Sequence, residues 1–204
     1  MSNPSSSWQR LQAGNQHFYA AVRAKHNTAA SGRPPVAVVF RSADSDMASE
    51  VVFGQSWGSL IDISNWGHVI DAGVLATLEY AVGTLKTPLI VILGHSDSAA
   101  MKTALDAWNT AKFPEGASRA VVEQAISSLA RKDAGISTAD DLSAAHVAHV
   151  GVSLLHKSPV VAKAVDSGQC GIVCAVIDRE DGRIRVCGTI GDIADDQKPL
   201  LEVV

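Results

Sequence analysis

The sequence predicts an α/β fold with a mainly parallel central β-sheet flanked by helices. Short, largely apolar runs at residues 36–40 (VAVVF), 59–63 (SLIDI) and 89–93 (LIVIL) each end in a polar turn, which is typical of strands in such a sheet. An apolar, helix-forming segment at residues 72–85 lies between the last two runs. This order of strand, helix and strand predicts parallel pairing with right-handed crossovers.

The helices of the first half have local sequence signals. An N-terminal helix over residues 8–22 is indicated by four apolar residues at near-helical spacing: Trp8, Leu11, Phe18 and Val22. Residues 47–53 predict a short helix. Asp71 is the predicted N-cap of the helix at residues 72–85. The apolar residues of that helix fall on one face: Val74, Leu75, Leu78, Val82 and Leu85.

The second half predicts the rest of the helical layer and one hairpin. After the strand at residues 89–93, helices are expected at residues 99–108, 118–132 and 138–157. Two apolar runs, residues 170–178 and 183–187, flank the turn Arg179-Glu180-Asp181-Gly182. That pattern predicts a β-hairpin that adds strands at one end of the sheet.

Length and charge limit the class of protein. The 204 residues suffice for one domain with one core, so we expect residues 1–204 to form a single domain, with the Ser/Pro-rich residues 1–7 flexible. A net charge of -4 without a basic cluster argues against nucleic-acid and anionic-membrane partners. No signal-peptide pattern and no apolar run of about 20 residues is present, so a cytoplasmic location is expected.

The three cysteines are predicted to be buried rather than bridged. Cys170, Cys174 and Cys187 lie in late apolar segments, and an odd number of cysteines in such places is typical of small core residues in a reducing compartment. Cys170 and Cys174 are four residues apart, roughly 13 Å along a strand. They are therefore not expected to hold one zinc ion together.

Polar loops at residues 41–46, 64–68 and 94–98 follow three predicted strands and are the candidate functional site. Parallel strands end at the same edge of a sheet, so these loops are expected to meet. Four of their side chains are candidates for a hard-metal site: Asp44, Asp46, Asp97 and His95. The alternative, more common for loop aspartates, is that they cap neighbouring backbone amides.

Three histidines of the predicted helix at residues 138–157 form a second candidate. His146, His149 and His156 project within about 80° of one another around a helix. They could form a metal-binding or pH-sensing face. Without a carboxylate as third ligand, a solvated or interface face is the more common arrangement, and that is the prediction.

The chain resembles the β-class carbonic anhydrases from about Leu11 to Ile193. The matching segments are LQAGNQHF in the first helix, ADS at 43–45, VVFGQ at 51–55, GHVIDAGVLATLEYAV at 67–82 and PLIVILGH at 88–95. The resemblance implies a four-stranded, mainly parallel core sheet with an added edge strand. It also implies a dimer, often paired again into a tetramer, and a zinc-dependent hydration of carbon dioxide.

The family's zinc motifs are altered in this chain. In the family, the loop after the first strand reads Cys-x-Asp-x-Arg and a later loop reads His-x-x-Cys. The cysteines and the histidine bind zinc, and water or the aspartate is the fourth ligand. The corresponding residues here are Ser42, Asp44, Asp46, His95 and Ser98. Because hydroxyls replace both thiolates, the resemblance implies that zinc affinity is largely lost, and no cofactor is expected.

Neighbouring positions of the family's pocket have also changed. Asp46 stands where the family has an arginine, and its charge is expected to move Asp44 or to protonate it partly. The family's Arg-x-Ala-Gly loop reads Ser64-Asn65-Trp66-Gly67 here, and Trp66 is predicted to fill part of the pocket. Gln55 matches the family's pocket glutamine. The predicted pocket lining is Gln55, Ser64, Trp66, Gly67 and Asp97.

These changes predict a carbonic anhydrase-like protein without zinc and without carbon dioxide hydration, because the reaction needs a metal to form hydroxide at neutral pH. A binding, regulatory or structural role would then remain. The alternative is an enzyme that keeps carbonate dehydratase or a related lyase or hydrolase activity through altered metal ligands. The expected partner is a second copy of the chain, in a dimer or tetramer, or else an active paralogous subunit.

Overall fold

The computed structural model describes residues 3–24, 34–129 and 136–193. The chain falls into two compact units that divide at residue 34. The first contains one helix, α1 (Pro4–Ala24), which confirms the predicted N-terminal helix. Residues 4–7, part of the stretch that was predicted to be flexible, form the first turn of this helix. Asn3 accepts a hydrogen bond from the Ser6 amide at 2.8 Å and so caps a helix that has proline in its first turn.

The sheet lies in the second unit and has the predicted mainly parallel arrangement. Its strand order is β2-β1-β3-β4-β5, with β1 to β4 parallel and β5 antiparallel at one edge. The strands are β1 (Ala37–Ser42), β2 (Leu60–Asn65), β3 (Leu89–His95), β4 (Gly171–Ile177) and β5 (Ile184–Ile190). The antiparallel pairing of β4 with β5 confirms the predicted hairpin, and β3 continues through His95, which had been placed on the following turn.

The helices of this unit pack on the sheet and on one another. They are α2 (Ser49–Val52), α3 (Ala72–Glu79), α4 (Ala99–Thr110), α5 (Ser118–Ser127), α6 (Ala139–Lys157) and α7 (Pro159–Asp166). Asp71 caps α3 as predicted, since its side chain accepts from the Val74 amide at 2.8 Å. The chain continues from α3 into a π-helical turn, Tyr80–Thr84.

Helices α5 and α7 differ from the predictions in extent and in presence, respectively. Helix α5 ends at Ser127, whereas residues 118–132 were predicted, and residues 130–132 lie outside the described part. Helix α7 was not predicted. Its start is fixed by Ser158, whose hydroxyl accepts a hydrogen bond from the Val161 amide, and by Pro159 in the first helical turn. These residues follow directly on the end of α6.

Alternate residues of the strands pack on opposite faces of the sheet, as the period of a strand requires. Phe40 and Ile92 pack in one cluster with residues of α3, α6 and α7, and Val39 and Leu93 pack in another. Gly94 allows close packing near the end of β3: a Cβ there would lie 2.9 Å from Val147 Cγ1 of α6. The core therefore holds the carboxyl end of β3 rigidly against α6.

The cysteines have the predicted environment. Cys170, Cys174 and Cys187 are free and buried. Burial raises the pKa of the Cys174 thiol to about 12 and that of Cys170 to about 11. They are core residues rather than reactive thiols. Among the described residues, no helix has the length and apolar character needed to cross a membrane.

Candidate functional site

The ends of β1 and β3 bring the predicted loops together at the carboxyl edge of the sheet. Ser42 is the last residue of β1 and His95 the last of β3. These strands pair in parallel, with Arg41 opposite Leu93, so their ends point toward the same edge. The prediction that these loops meet is confirmed, because Asp44, after β1, is in contact with His95.

The Asp44 carboxylate accepts four hydrogen bonds. Oδ1 accepts from the Ser42 hydroxyl and from His95 Nε2, the latter at 3.0 Å. Oδ2 accepts from the Ser98 hydroxyl at 3.1 Å and from the Ala100 amide at 3.2 Å. We refer to Asp44 and these four donor residues as the Asp44 network. Both carboxylate oxygens are fully used within the chain.

Asp44 is ionised. Burial raises its pKa, but the hydrogen bonds from His95, Ser42 and Ala100 outweigh that effect and hold the pKa well below its usual range. The predicted partial protonation of Asp44 is therefore wrong. The physical reason is that Asp46 pairs instead with Arg179, 3.0 Å between Oδ2 and Nη2, and is 69% exposed.

His95 is buried, and both of its ring nitrogens face acceptor oxygens. Its side chain is 1% exposed, its Nδ1 lies 2.8 Å from the Ser96 carbonyl oxygen, and its Nε2 faces Asp44. Both oxygens accept, so both ring nitrogens donate. Burial lowers the pKa of His95, but the bonds to Asp44 and Ser96 raise it further than burial lowers it. Neither nitrogen has a free lone pair in this arrangement.

Backbone amides support both serines of the network. The Gly67 amide donates to Ser42 Oγ at 3.0 Å, and the Met101 amide donates to Ser98 Oγ at 3.4 Å, where Ser98 is the N-cap of α4. Gly67 has a φ of 71°, and a Cβ there would overlap Val121 Cγ1 of α5. Only glycine allows this amide to reach Ser42 without strain.

His146 lies behind Gly67 and is not on a solvated face. It is 1% exposed, with Nε2 at 3.0 Å from the Gly67 carbonyl oxygen and Nδ1 at 2.9 Å from Ser128 Oγ. The predicted solvated or interface face is therefore wrong for His146, because this side of α6 packs against other parts of the same chain. His149 is partly buried and His156 is exposed, so the three rings do not form one surface.

His68 is a buried residue that the motifs did not single out. Its Nε2 lies 3.0 Å from the Leu93 carbonyl oxygen, and its ring packs against Phe40 and His146. Burial lowers the pKa of His68 to about 4 and that of His146 to about 3, so both are neutral at pH 7. Two neutral imidazoles thus lie under the Asp44 network.

Arg179 forms an ionic rim outside the network. Besides Asp46, it approaches Asp97, with Nη1 3.8 Å from Oδ2, and Asp97 also pairs with Lys102. The hairpin turn containing Arg179 was predicted, but its contact with residue 46 was not, because 133 positions separate them. The four candidate metal ligands therefore do not form one cluster. Asp44 pairs with His95, whereas Asp46 and Asp97 pair with the exposed cations of Arg179 and Lys102.

An open cleft of about 760 Å³ lies along this rim. It is lined by Asp46, Met47, Ser96, Asp97, Asp140, Asp178, Arg179 and Glu180. Asp97 is thus the one predicted pocket residue that lines this cleft.

The other predicted pocket residues lie apart from one another. Gln55 is exposed and donates to the Phe53 carbonyl oxygen at 3.0 Å, and Ser64 is exposed at the end of β2. Trp66 is partly buried and packs against the cluster of α4 and α5 that includes Ala100. Only Gly67 contacts the Asp44 network by a hydrogen bond. That Trp66 fills substrate space stays a prediction.

The donor atoms of the Asp44 network do not fit zinc. Zinc in proteins binds thiolates, neutral imidazoles and carboxylates. Here two hydroxyls, an imidazole whose nitrogens both face acceptor oxygens and a carboxylate with both oxygens occupied by hydrogen bonds stand together. Within residues 3–24, 34–129 and 136–193, no group of three or more His, Cys, Asp or Glu side chains is placed to hold a metal ion.

The fold and the sequence together define the class of protein. The profile of the carbonic anhydrase family matches residues 37–184, which include β1 to β4 and the first residue of β5. The chain therefore belongs to the carbonic anhydrase family, and its solved structural neighbours are of the β class.

Two curated relatives match almost the whole chain. Carbonic anhydrase 2 of Mycobacterium tuberculosis is 36% identical over 204 residues, which cover 95% of this chain and 98% of that protein. A carbonic anhydrase of Mycolicibacterium smegmatis is 35% identical over 202 residues, with the same coverage of 95% and 98%.

Solved structures show the same fold at lower identity. The β-carbonic anhydrase of Coccomyxa superposes with a TM-score of 0.73 at 21% identity, covering 89% of this chain and 86% of that one. A β-carbonic anhydrase of Aspergillus fumigatus gives 0.74 at 21% identity, covering 88% and 90%. One of two tetrameric β-carbonic anhydrases of Sordaria macrospora gives 0.65 at 20% identity, covering 90% and 93%.

Proposed function

We propose that this chain is a member of the β-carbonic anhydrase family that neither binds zinc nor hydrates carbon dioxide, and that has a binding, regulatory or structural role. The observation that carries the proposal is the Asp44 network. At the positions that correspond to the family's zinc ligands, Ser42, Asp44, His95 and Ser98 bond to one another instead of presenting free donor atoms.

The chemistry of these residues supports the proposal. Hydration of carbon dioxide needs hydroxide, which bound zinc supplies by lowering the pKa of water from 15.7 to about 7. His95 donates from both nitrogens and so cannot accept a proton from water. Asp44 is too weak a base, since its pKa is held well below its usual range. Ser42 and Ser98 donate to Asp44 and have no base to activate them.

Metal analysis combined with stopped-flow kinetics tests the proposal. We expect the purified full chain, expressed in zinc-supplemented medium, to contain far less than one zinc per chain and to hydrate carbon dioxide at the buffer rate. The H95N variant is the matched control and should give the same rate as the unchanged chain. Stoichiometric zinc with a rate above that of H95N would contradict the proposal.

A second candidate is retained carbonate dehydratase activity through altered metal ligands. It is favoured by the identity of 36% to a protein named carbonic anhydrase 2. It requires Asp44 to release His95, so that the imidazole regains a free nitrogen. A panel of zinc, cobalt, manganese and magnesium distinguishes the candidates: hydration that depends on one added metal supports the second, and its absence across the panel supports the first.

We also propose that the chain forms a homo-oligomer, a dimer or a tetramer. The tetrameric β-carbonic anhydrases of Sordaria macrospora, which share the fold, support this assignment. Light scattering of the purified chain should give the mass of two or four copies, and a monomer at micromolar concentration would contradict it. Isolation from the native cell tests the alternative, in which an active paralogous subunit copurifies. A cytoplasmic location stays a prediction.

A further inference from the structure

We propose that the Asp44 network is an internal cross-link that takes the structural place of a metal ion at this edge of the sheet. The inference rests on the proposed absence of zinc and adds a role for the altered site. Asp44 would fix the loop after β1 to the end of β3 and to the start of α4, and substitutions there would change stability rather than a reaction.

Three of the four donors to Asp44 lie far from it along the chain. His95, Ser98 and Ala100 are 51, 54 and 56 residues from Asp44 and belong to the end of β3 and the first turn of α4. A clip that closes loops of this length restricts the chain in the way that a structural metal does. One carboxylate thus joins two stretches of backbone that are distant in the sequence, residues 42–44 and residues 95–100.

Residues of the Asp44 network are themselves held in place by further hydrogen bonds. Ser42 accepts from the Gly67 amide, which brings in the turn after β2. The His95 carbonyl oxygen accepts from Ser143 Oγ of α6 at 3.1 Å. Among the described residues, the buried side-chain atoms without a partner are His68 Nδ1 and Thr87 Oγ1, and neither belongs to the network. A buried polar network whose atoms are all paired rigidifies its surroundings.

The acidic side chains Asp44, Asp46 and Asp97 at this edge of the sheet all have partners within the chain. The Asp44 carboxylate lies 3.0 Å from His95 Nε2 and has all four of its hydrogen bonds supplied by the chain itself, without any added ion. Neighbouring charges are neutralised separately, because Asp46 and Asp97 pair with Arg179 and Lys102 at the surface. The side chain of His95 is 1% exposed and that of Asp44 15%, so removing Asp44 leaves largely buried donors without an acceptor, which costs more than loss of an exposed pair.

Thermal unfolding of the D44N and D46N variants of the full chain tests the cross-link. Asparagine has the size of aspartate, but its NH₂ group would face two hydrogen-bond donors of the network. We expect D44N to lower the Tm by about 10 °C. D46N, the matched control two residues away, loses only an exposed pair and should lower the Tm by less than about 3 °C.

Two serine variants keep the test decisive if D44N does not fold. S42A and S98A each remove one donor, and each should lower the Tm by about 2–6 °C. Hydrogen exchange should accelerate in the peptides that contain Gly67 and Ala100, and not in β5. Equal Tm values for S42A, S98A and D46N, with unchanged exchange, would overturn the cross-link.

Zinc content measured on the same preparations separates this inference from the proposed function. Stoichiometric zinc in the unchanged chain would contradict the proposed function and the cross-link together. A zinc-free chain in which D44N is as stable as D46N would contradict the cross-link alone. A zinc-free chain in which D44N loses about 10 °C supports both.

Discussion

At the scale of single residues, the altered site keeps the backbone support that a thiolate would need. The Gly67 amide points at the side chain of residue 42, and residue 98 caps the N-terminus of α4. Both environments lower the pKa of a cysteine. The Ser96 carbonyl oxygen holds His95 Nδ1 at 2.8 Å, an arrangement that leaves Nε2 as the nitrogen available to a metal once Asp44 moves.

The double variant S42C/S98C is therefore expected to gain zinc. It removes two of the four donors to Asp44 and supplies two thiolates beside an imidazole. We expect metal analysis to rise to about one zinc per chain, and added zinc to raise the Tm. The matched control S42A/S98A removes the same donors without thiolates and should remain zinc-free. A folded S42C/S98C variant without zinc would contradict this expectation.

At the scale of elements, the turn between β2 and α3 depends on one glycine. Gly67 combines a φ of 71° with a position where a Cβ would overlap Val121 of α5. Its amide and carbonyl oxygen connect Ser42 with His146. The turn is thus held by a strand on one side and by two helices on the other.

The G67A variant should be destabilised by about 2–4 kcal/mol, because strain at positive φ and overpacking against Val121 add. Gly54 is the matched control. Its φ is 59°, but a Cβ there would meet nothing within 4 Å, so G54A should cost about 1 kcal/mol. Chemical denaturation measures both. If the double variant G67A/V121A recovers none of the stability lost in G67A, the overlap between the new Cβ and Val121 is not the cause.

Local patterns predicted most of these elements. The alternation and apolar runs of β1 and β3, the Asp71 cap and the hairpin turn before β5 are short-range signals, and the structure confirms them. Helix α7 was missed because it follows α6 directly, so that a change of direction at Ser158 interrupts what reads as one helical segment. That His146 faces the core could not be predicted. The helical period shows which residues share a face of α6, but it does not show which face other elements cover.

At the scale of the whole molecule, acid should destabilise the fold through His68 and His146. Both have folded-state pKa values, about 4 and about 3, below the ordinary value of 6.5. Between pH 6.5 and about 4 the unfolded chain therefore binds more protons than the folded one. The stability that depends on neutral rings is present in full above pH 6.5 and is lost as the pH falls.

Urea denaturation at several pH values measures this effect. Each histidine contributes a slope of at most about 1.4 kcal/mol per pH unit in that range. The H146N variant removes one of the two groups and should roughly halve the slope, whatever its effect on stability at pH 7. An unchanged slope in H146N would mean that His146 is not a buried neutral ring. His95 does not contribute to the slope below pH 6.5. Because its pKa is raised, its contribution to stability changes with pH only above 6.5.

The sequence by itself determined the α/β fold, the parallel sheet with its antiparallel edge, the family and the positions of Ser42, Asp44, His95 and Ser98. Strand alternation, helical period, turn residues and collinear motifs are properties of neighbouring residues, so they can be read without coordinates. Only the tertiary structure decided that Asp46 pairs with Arg179, that Asp44 is ionised and that His95 donates from both nitrogens. The charge of a buried group depends on the donors and acceptors that surround it, and here several of these come from residues 51 to 133 positions away.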